Sequence, residues 1–342
     1  MKDNILKIGQ GTISEVSSTL KEANIFGKIL YVSDPYVDNL YGNIVRPQLE
    51  SVAKVKEEFI TQNTISYAMS VAERAIATDI DCIAAMGGGK TLDVAKYAAF
   101  IAKKPFLSIP TTMAHDGIVS PIAVLKRQDN KPKSLGCAMP SMIILDTKLI
   151  SSCPPELIKA GIGDTISNYM ALRDWDFAVS RKKDTMNGYA YMMSRTALDA
   201  LLKTQFDHIC PEFLDVLANS LVLSGIAMDY AGSSRPVSGS EHLFSHALDY
   251  YCEKQNLHGF NVALGTVLTL RVIGEDDSEV ISYLKKFDVD INPKHMGISE
   301  DDVVLCMQKA TSIRNNRYTH LNEADLSENR LRKIYRELLE EL

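Results

Sequence analysis

The sequence predicts an α/β protein in two parts, a parallel-sheet domain over residues 1–152 and an all-helical domain over 153–342. Three observations carry that expectation. Apolar strand signals alternate with helical ones through the first half, the repeated order that builds a parallel sheet with helices on its faces. After "SSCPPELIKAG" the strand signals nearly vanish and long helical patterns take over. A chain of 342 residues is also long for a single core.

The elements follow in order. "GKILYVSD" (27–34) reads as a buried strand ending on an acid, and "VAKVKEEF" (52–59) as a half-alternating one. "TISYAMSVAERAIAT" (64–78) has apolar residues at helical spacing, with Asn63 or Thr64 as cap. "DCIAAMGGGKTLDVAKYAAFIAKK" (81–104) is strand, glycine turn and helix, and "PFLSIPTT" (105–112) the next strand. "PIAVLKRQDNKPKSLG" has the form of a hairpin turning at Asp129, Asn130 and Pro132, and "MIILDTKLI" (142–150) that of a further strand. Helical patterns then cover 187–205, 210–231, 240–253, 259–274 and 277–287.

Composition excludes several classes. With 46% hydrophobic and 23% charged residues the chain is ordinary for a globular protein. A net charge of −6 and a pI near 5.7 offer nothing to nucleic acid or an anionic membrane. "MKDNILKIGQGTISEV" lacks the apolar core of a signal peptide, and no run of eighteen apolar residues predicts a bilayer span. Six scattered cysteines without a C-x-x-C suit reduced thiols and a cytoplasmic setting. The expected partner is a small molecule, and a homo-oligomer is the common state for such a protein.

"MGGGKTLDVAKYAAF" stands where a strand ends and a helix begins. Glycines there let backbone approach a ligand, and the first helical turn attracts an anion such as a pyrophosphate. The stretch is neither G-x-G-x-x-G nor a P-loop, and a plain tight turn is the other reading. "PTTMAHDGIVSP" (110–121) belongs to the same edge of the sheet, so one dinucleotide can touch both loops. Asp34 closes an earlier strand where a carboxylate can accept ribose hydroxyls, or it is a turn residue before Pro35.

"EHLFSHALDYYCEKQNLHGF" holds three of the seven histidines. His242 and His246 are four apart and share a helical face, and His258 follows. Neutral imidazoles are favoured ligands for borderline divalent cations, the alternative being satisfied polar residues that happen to cluster. The zinc-protease pattern H-E-x-x-H is absent, because Glu241 precedes the pair and Leu243 fills the glutamate's place. A catalytic metal needs a third ligand. Asp164 in "AGIGDTISNYMALRDWDFA" is a candidate, on one helical face with Asn168 and preceded by Gly161 and Gly163; it also reads as a simple N-cap.

Five motifs in order, "GGGKTLDVAKYAA", "TTMAHDGIVSPIAV", "AGIGDTISNYMALRDWDFA", "SSRPVSGSEHLFSHALD" and "LHGFNVALGTV", resemble the sn-glycerol-1-phosphate dehydrogenases. These sit within the metal-dependent glycerol dehydrogenase and dehydroquinate synthase-like superfamily. The resemblance implies a Rossmann-like parallel-sheet domain followed by a helical metal-binding domain. It also implies interconversion of dihydroxyacetone phosphate and sn-glycerol 1-phosphate with NAD(H) or NADP(H) and one divalent metal, zinc first, nickel or iron otherwise. Carried onto matching positions, the metal ligands are Asp164, His242 and His258. His246, Asp116 and Asp164 serve catalysis and the substrate, together with Asn168. Gly87, Gly88, Gly89, Lys90, Thr91, Asp93, Thr111 and Thr112 hold the dinucleotide, with Ser120 against the nicotinamide. One departure is visible: Ala114 stands where the family usually has serine.

A phosphorylated substrate needs a cationic anchor. Arg235, in a short turn before the histidines, is the candidate, with Ser233 and Ser234 as helpers; a surface arginine is the other reading. Unphosphorylated glycerol, dehydroquinate synthase-like lyase chemistry and a non-catalytic binding protein are the competing functions. "DWDFA" and "SEHLFSHALD" resemble the phosphate-using branch, and no cluster of lysines and arginines for the lyase is visible.

Overall fold

The computed structural model describes residues 4–252 and 256–342 and falls into two compact units. The first comprises Met1–Pro154 with Pro211–Gly225, the second Pro155–Cys210 with Ile226–Leu342. A single boundary near residue 152 therefore does not describe the return of 211–225 to the first unit. The reasons are local. Asp215 accepts a hydrogen bond from Thr147 at 2.7 Å, and a Cβ at Gly225 would lie 2.9 Å from Val119 and 3.2 Å from the backbone of Ser120.

The first unit opens with β1 (Ile5–Gly9), α1 (Val16–Glu22), β2 (Lys28–Ser33), α2 (Pro35–Glu50), β3 (Lys54–Phe59) and α3 (Ile65–Ala77). It continues through β4 (Cys82–Gly87), α4 (Gly89–Ala102), β5 (Phe106–Pro110), the hairpin β6 (Ile122–Lys126) and β7 (Pro132–Gly136), β8 (Met142–Asp146) and α5 (Thr147–Ile150). Six strands form one sheet in the order β1-β8-β5-β4-β2-β3, every pairing parallel. The chain steps outward from β2 to β3, then crosses back to β4 on the other side of β2. The order therefore reverses between β2 and β4, where open α/β sheets bind ligands. Asp34 follows one of these strands and the glycine turn the other. Burial explains the composition of α4: packed on nearly every side, it is built from alanines with Leu92 and Val94.

The second unit consists of α6 (Pro155–Ile166), α7 (Asn168–Ser180), α8 (Gly188–Leu202), the end of α9 (Pro211–Ala231), α10 (Ser240–Tyr251), α11 (His258–Ile273), α12 (Ser278–Lys286), α13 (Glu300–Ile313) and α14 (Glu328–Glu341). Helix α11 is buried along almost its whole length. Two of its glycines admit neighbours at backbone distance. A Cβ at Gly259 would stand 1.8 Å from the carbonyl oxygen of Ala160 in α6, and one at Gly265 would stand 2.7 Å from that of Glu241 in α10. Gly163 completes the first contact, its own Cβ position lying 2.4 Å from the Gly259 carbonyl oxygen.

The expected strands, hairpin and helices are present with small shifts at their ends. Thr64 caps α3 by accepting from Tyr67 N–H at 3.2 Å. Residues 142–150 are not one strand: Asp146 ends β8 and caps α5, accepting from the N–H groups of Lys148 and Leu149. Gly161 and Gly163 lie inside α6 rather than in a turn, so Asp164 is not an N-cap. Residue 253, the end of an expected helix, lies outside the described residues. Helix α9 is long and apolar enough to cross a bilayer, yet 61% of its apolar window is buried within the protein.

The α6–α11 contact yields a test. Gly259→Ala sets a methyl against a backbone carbonyl that cannot rotate away, and overpacking of this kind costs about 1–3 kcal/mol or more. Denaturant unfolding should show a lowered midpoint with an unchanged slope; an unaltered midpoint would mean that the two helices separate without cost.

Candidate functional site

In the second unit, α6, α10 and α11 bring Asp164, His242 and His258 together. One ligand atom from each lies within 4.8 Å of the others. His258 Nε2 stands 3.7 Å from Asp164 Oδ1. The other ring nitrogens are already engaged: His242 Nδ1 lies 2.8 Å from Glu241 Oε1, and His258 Nδ1 lies 3.2 Å from Ser245 Oγ. With Nδ1 held, Nε2 of each ring is the atom left for coordination, and a carboxylate behind a ligand histidine raises its basicity. Burial first, then Arg314 and Arg317, push His242 down to about 3, so it stays neutral, the form that coordinates. Two imidazoles and a buried carboxylate fit a borderline divalent cation.

Glu241 is wholly buried. Burial, with Asp174 adding to it, raises its carboxyl to about 8. It accepts from Gly239 N–H at 2.6 Å, while Asp174 Oδ2 accepts from Ser240 N–H at 2.6 Å. Two carboxyl groups thus serve the N-terminus of α10, each accepting from one backbone N–H. A Cβ at Gly239 would meet Asp174 Oδ2 at 2.4 Å, which is why glycine stands there.

His246 faces the same cluster, its ring centroid 6.0 Å from that of His258 and 6.2 Å from that of His242. Its Nε2 lies 3.4 Å from Arg314 Nη2, and burial followed by Arg314 pushes its pKa well down. Arg235 is placed otherwise than on the surface. It is 3% exposed, its Nε stands 2.9 Å from Asp184, and its Nη2 donates to the Tyr318 carbonyl at 2.6 Å. Asn168 is buried at the start of α7, one turn beyond Asp164. Arg314, Arg317 and Glu241 are the functional candidates that sequence reasoning missed. The arginines lie some seventy residues beyond the histidines, and only Glu241, adjacent to His242, left a local signal.

In the first unit, Gly88 caps α4 without a side chain, directly after β4. Its neighbours are glycine for internal reasons: a Cβ at Gly87 would meet Thr91 at 2.7 Å, and one at Gly89 would meet His115 Nε2 at 2.6 Å. At Gly88 the nearest atom is Thr112 Oγ1 at 3.7 Å. Lys90 is exposed, whereas Thr111 and Ser120 are buried. Asp34 is the N-cap of α2, accepting from Tyr36 and Val37 N–H through Oδ1 and from Thr91 Oγ1 at 3.3 Å through Oδ2.

The loop after β5 is held from beneath. Lys96 Nζ donates to the carbonyls of Gly117 and Ile122, and lies 3.5 Å from Asp93. Asp93 accepts from Val124 N–H at 3.0 Å. His115 Nδ1 accepts from Gly117 N–H at 3.0 Å, which places the ring proton on Nε2. Burial raises the Asp116 carboxyl well above the ordinary range against the pull of Lys96, and Asp93 adds to the rise.

A nucleotide-type parallel sheet, and a separate helical unit with a carboxylate–histidine cluster, define the class of metal-dependent alcohol dehydrogenases. Residues 7–154 match the iron-containing alcohol dehydrogenase family. Among solved structures, glycerol dehydrogenase from Schizosaccharomyces pombe superposes with a TM-score of 0.80 at 17% identity, covering 98% of this chain and 89% of that one. Sulfoacetaldehyde reductase from Bifidobacterium kashiwanohense, in complex with NAD+, gives 0.75 at 16%, covering 99% and 98%. Glycerol-1-phosphate dehydrogenase [NAD(P)+] of Hyperthermus butylicus is 36% identical over 94% of this chain and 92% of its own length. The protein of the same name from Methanosarcina mazei is 34% identical over 92% and 89%. The chain belongs to the glycerol-1-phosphate dehydrogenase family.

Removing the cation beneath the loop tests that support. Lys96→Met strips a buried carboxylate of its partner, a change that costs about 3–5 kcal/mol. Chemical denaturation should show this loss; an unchanged midpoint would show that Lys96 does not anchor the loop.

Proposed function

We propose that this protein interconverts dihydroxyacetone phosphate and sn-glycerol 1-phosphate, using NAD(H) or NADP(H) and one divalent cation held by Asp164, His242 and His258. The observation that carries the reading is the convergence of those three ligand atoms within 4.8 Å, in a chain 36% identical to a glycerol-1-phosphate dehydrogenase. When bound, the cation supplies Lewis-acid polarisation of the reacting oxygen and the nicotinamide supplies or accepts the hydride.

The protein's own residues do the rest. Glu241 and Ser245 orient the two imidazoles, and Asp164 contributes the anionic ligand. His246, neutral and beside the cluster, contacts the substrate together with Asn168. Asp116 keeps a proton to higher pH than an ordinary carboxyl and serves a glyceryl hydroxyl. The Gly87–Gly89 turn with the first turn of α4 receives the pyrophosphate, aided by Lys90, Thr91, Thr111 and Thr112. Ser120 lies against the nicotinamide, and Asp93 acts by supporting β6. Asp34 retains acceptor capacity beyond its capping bonds for the ribose. Six cysteines without a disulfide support a cytoplasmic setting.

Alanine at Asp164, His242 or His258 should abolish bound metal and turnover with the fold retained; full metal occupancy in the His258→Ala protein would rule the ligand set out. His246→Ala should keep its metal and lose turnover. Glu241→Gln should weaken metal affinity by about 10–100-fold, as expected when an orienting partner is lost. Equilibrium dialysis reads the bound metal in all three cases, and steady-state assay reads turnover.

The substrate is decided by comparing kcat/KM for dihydroxyacetone phosphate, dihydroxyacetone and the dehydroquinate synthase substrate. The phosphorylated triose should be strongly preferred; preference for dihydroxyacetone would make the protein a glycerol dehydrogenase.

A further inference from the structure

Two half-buried guanidinium groups stand beside the histidines. Arg314 Nη1 donates to Ser234 Oγ at 3.1 Å and Arg317 Nη2 donates to the same oxygen at 2.9 Å. One serine hydroxyl therefore bridges two like-charged side chains. Arg317 also donates to the Ser238 carbonyl. Among the described residues no carboxylate lies within ion-pair distance of Arg317. Burial, then Arg314 and Arg235, lower its pKa to about 9.

Such an arrangement is costly without an anion. Half-buried charges of one sign repel at short range and lose part of their hydration, and neutral oxygens return only part of that. A phosphate dianion reverses the sign and offers several acceptor oxygens to the two planar forks.

The position sets what the anion belongs to. Arg314 Nη2 is 3.4 Å from His246 Nε2, and the His246 ring packs beside those of His242 and His258. An anion on the arginines is thus one imidazole away from the ligand cluster, the spacing of a short phosphate ester whose other end reaches the cluster.

The anchor expected from the sequence is differently engaged. Arg235 pairs with Asp184 and donates to the carbonyl of Tyr318, the residue after Arg317. It holds the segment that presents the other two.

We propose that Arg314 and Arg317, bridged by Ser234, bind the phosphate of the triose substrate, with Arg235 as a positioning residue; this rests on the function proposed above. Steady-state reduction of dihydroxyacetone phosphate and of dihydroxyacetone is measured for the native enzyme, Arg314→Lys, Arg317→Lys and Arg317→Met, with metal content recorded for each. Loss of the fork should raise KM for the phosphorylated substrate about ten- to hundredfold, with dihydroxyacetone kinetics and metal content within about twofold of native. The lysine variants keep the charge, so they decide the matter if Arg317→Met fails to fold. Equal losses with both substrates, or an unchanged KM for dihydroxyacetone phosphate, overturn the proposal.

Calorimetry with inorganic phosphate separates this proposal from the one it rests on. If the native enzyme does not turn over dihydroxyacetone phosphate, the proposed function fails, while the anion site is still decided by binding. Phosphate bound by the native enzyme and about tenfold more weakly by Arg317→Lys supports the site. Equal binding by both, or none by the native enzyme, overturns it.

Discussion

The helical unit depends on backbone contact between α11 and its two neighbours. A side chain of ordinary size at Gly259 or Gly265 would push α6 or α10 outward, since the atoms it would meet are backbone carbonyls. That approach sets the separation of Asp164, His242 and His258, each carried by a different one of the three helices. Short ligand side chains have little reach, so the helices themselves must come close. The glycines thus belong to the site as much as the ligands do, and Gly163 and Gly259 directly adjoin Asp164 and His258 in the chain. Around this junction the buried carboxylates of Asp174 and Glu241 meet the N-terminus of α10 and fix its first turn, where His242 sits.

The sheet unit uses a different device for a similar end. Glycines at 87 and 89 make room for protein atoms, Thr91 and His115, and Gly88 is the position with the open approach. The loop after β5 is then tied down by Lys96, a cation buried inside an alanine-rich helix. One ammonium satisfies two carbonyls and faces Asp93, and Asp93 reaches the backbone of β6. Loop and hairpin are therefore anchored to the helix that follows the glycine turn. Conformational freedom is withdrawn from the loop before any ligand arrives, which is how preorganisation improves affinity.

Much of this was legible in the sequence, and the omissions have physical causes. Buried parallel strands such as "CIAAMG" announce themselves by continuous apolar runs. β1, "ILKIG", leaves little signal because a half-buried edge strand of five residues alternates with a lysine and resembles its polar surroundings. The histidine spacing and Asp164 are readable from motif context, and the glycines before Asp164 suggest a backbone that comes close to something without showing what it meets. Their reason, a helix arriving from a hundred residues away, exists only after folding. Glu241 stands beside His242 in the sequence, but the protease pattern assigns it no role there. Its contact with His242 depends on the first turn of α10 being closed by Gly239. Arg314 and Arg317 carry no local pattern, and their setting comes from α13 packing against α10.

The three arginines show why residue type and proximity in sequence are weak guides to role. Arg235 precedes the histidines by a few residues, which made it the natural anchor. A guanidinium so close to α10 also lies close to the carboxylates that serve the surrounding turns, and Asp184 meets it at 2.9 Å. Such a paired cation is a structural tie, because drawing it toward a ligand would break its ion pair with Asp184 and its hydrogen bond to the Tyr318 carbonyl. Arg317 arrives from a distant segment, and it donates to a serine hydroxyl and a carbonyl. A cation whose hydrogen bonds end on neutral atoms keeps its attraction for an incoming anion. Arg235, by holding the Tyr318 carbonyl, fixes the chain directly after it. Tie and anchor are thus different arginines, and what separates them is the charge of the groups each one already touches.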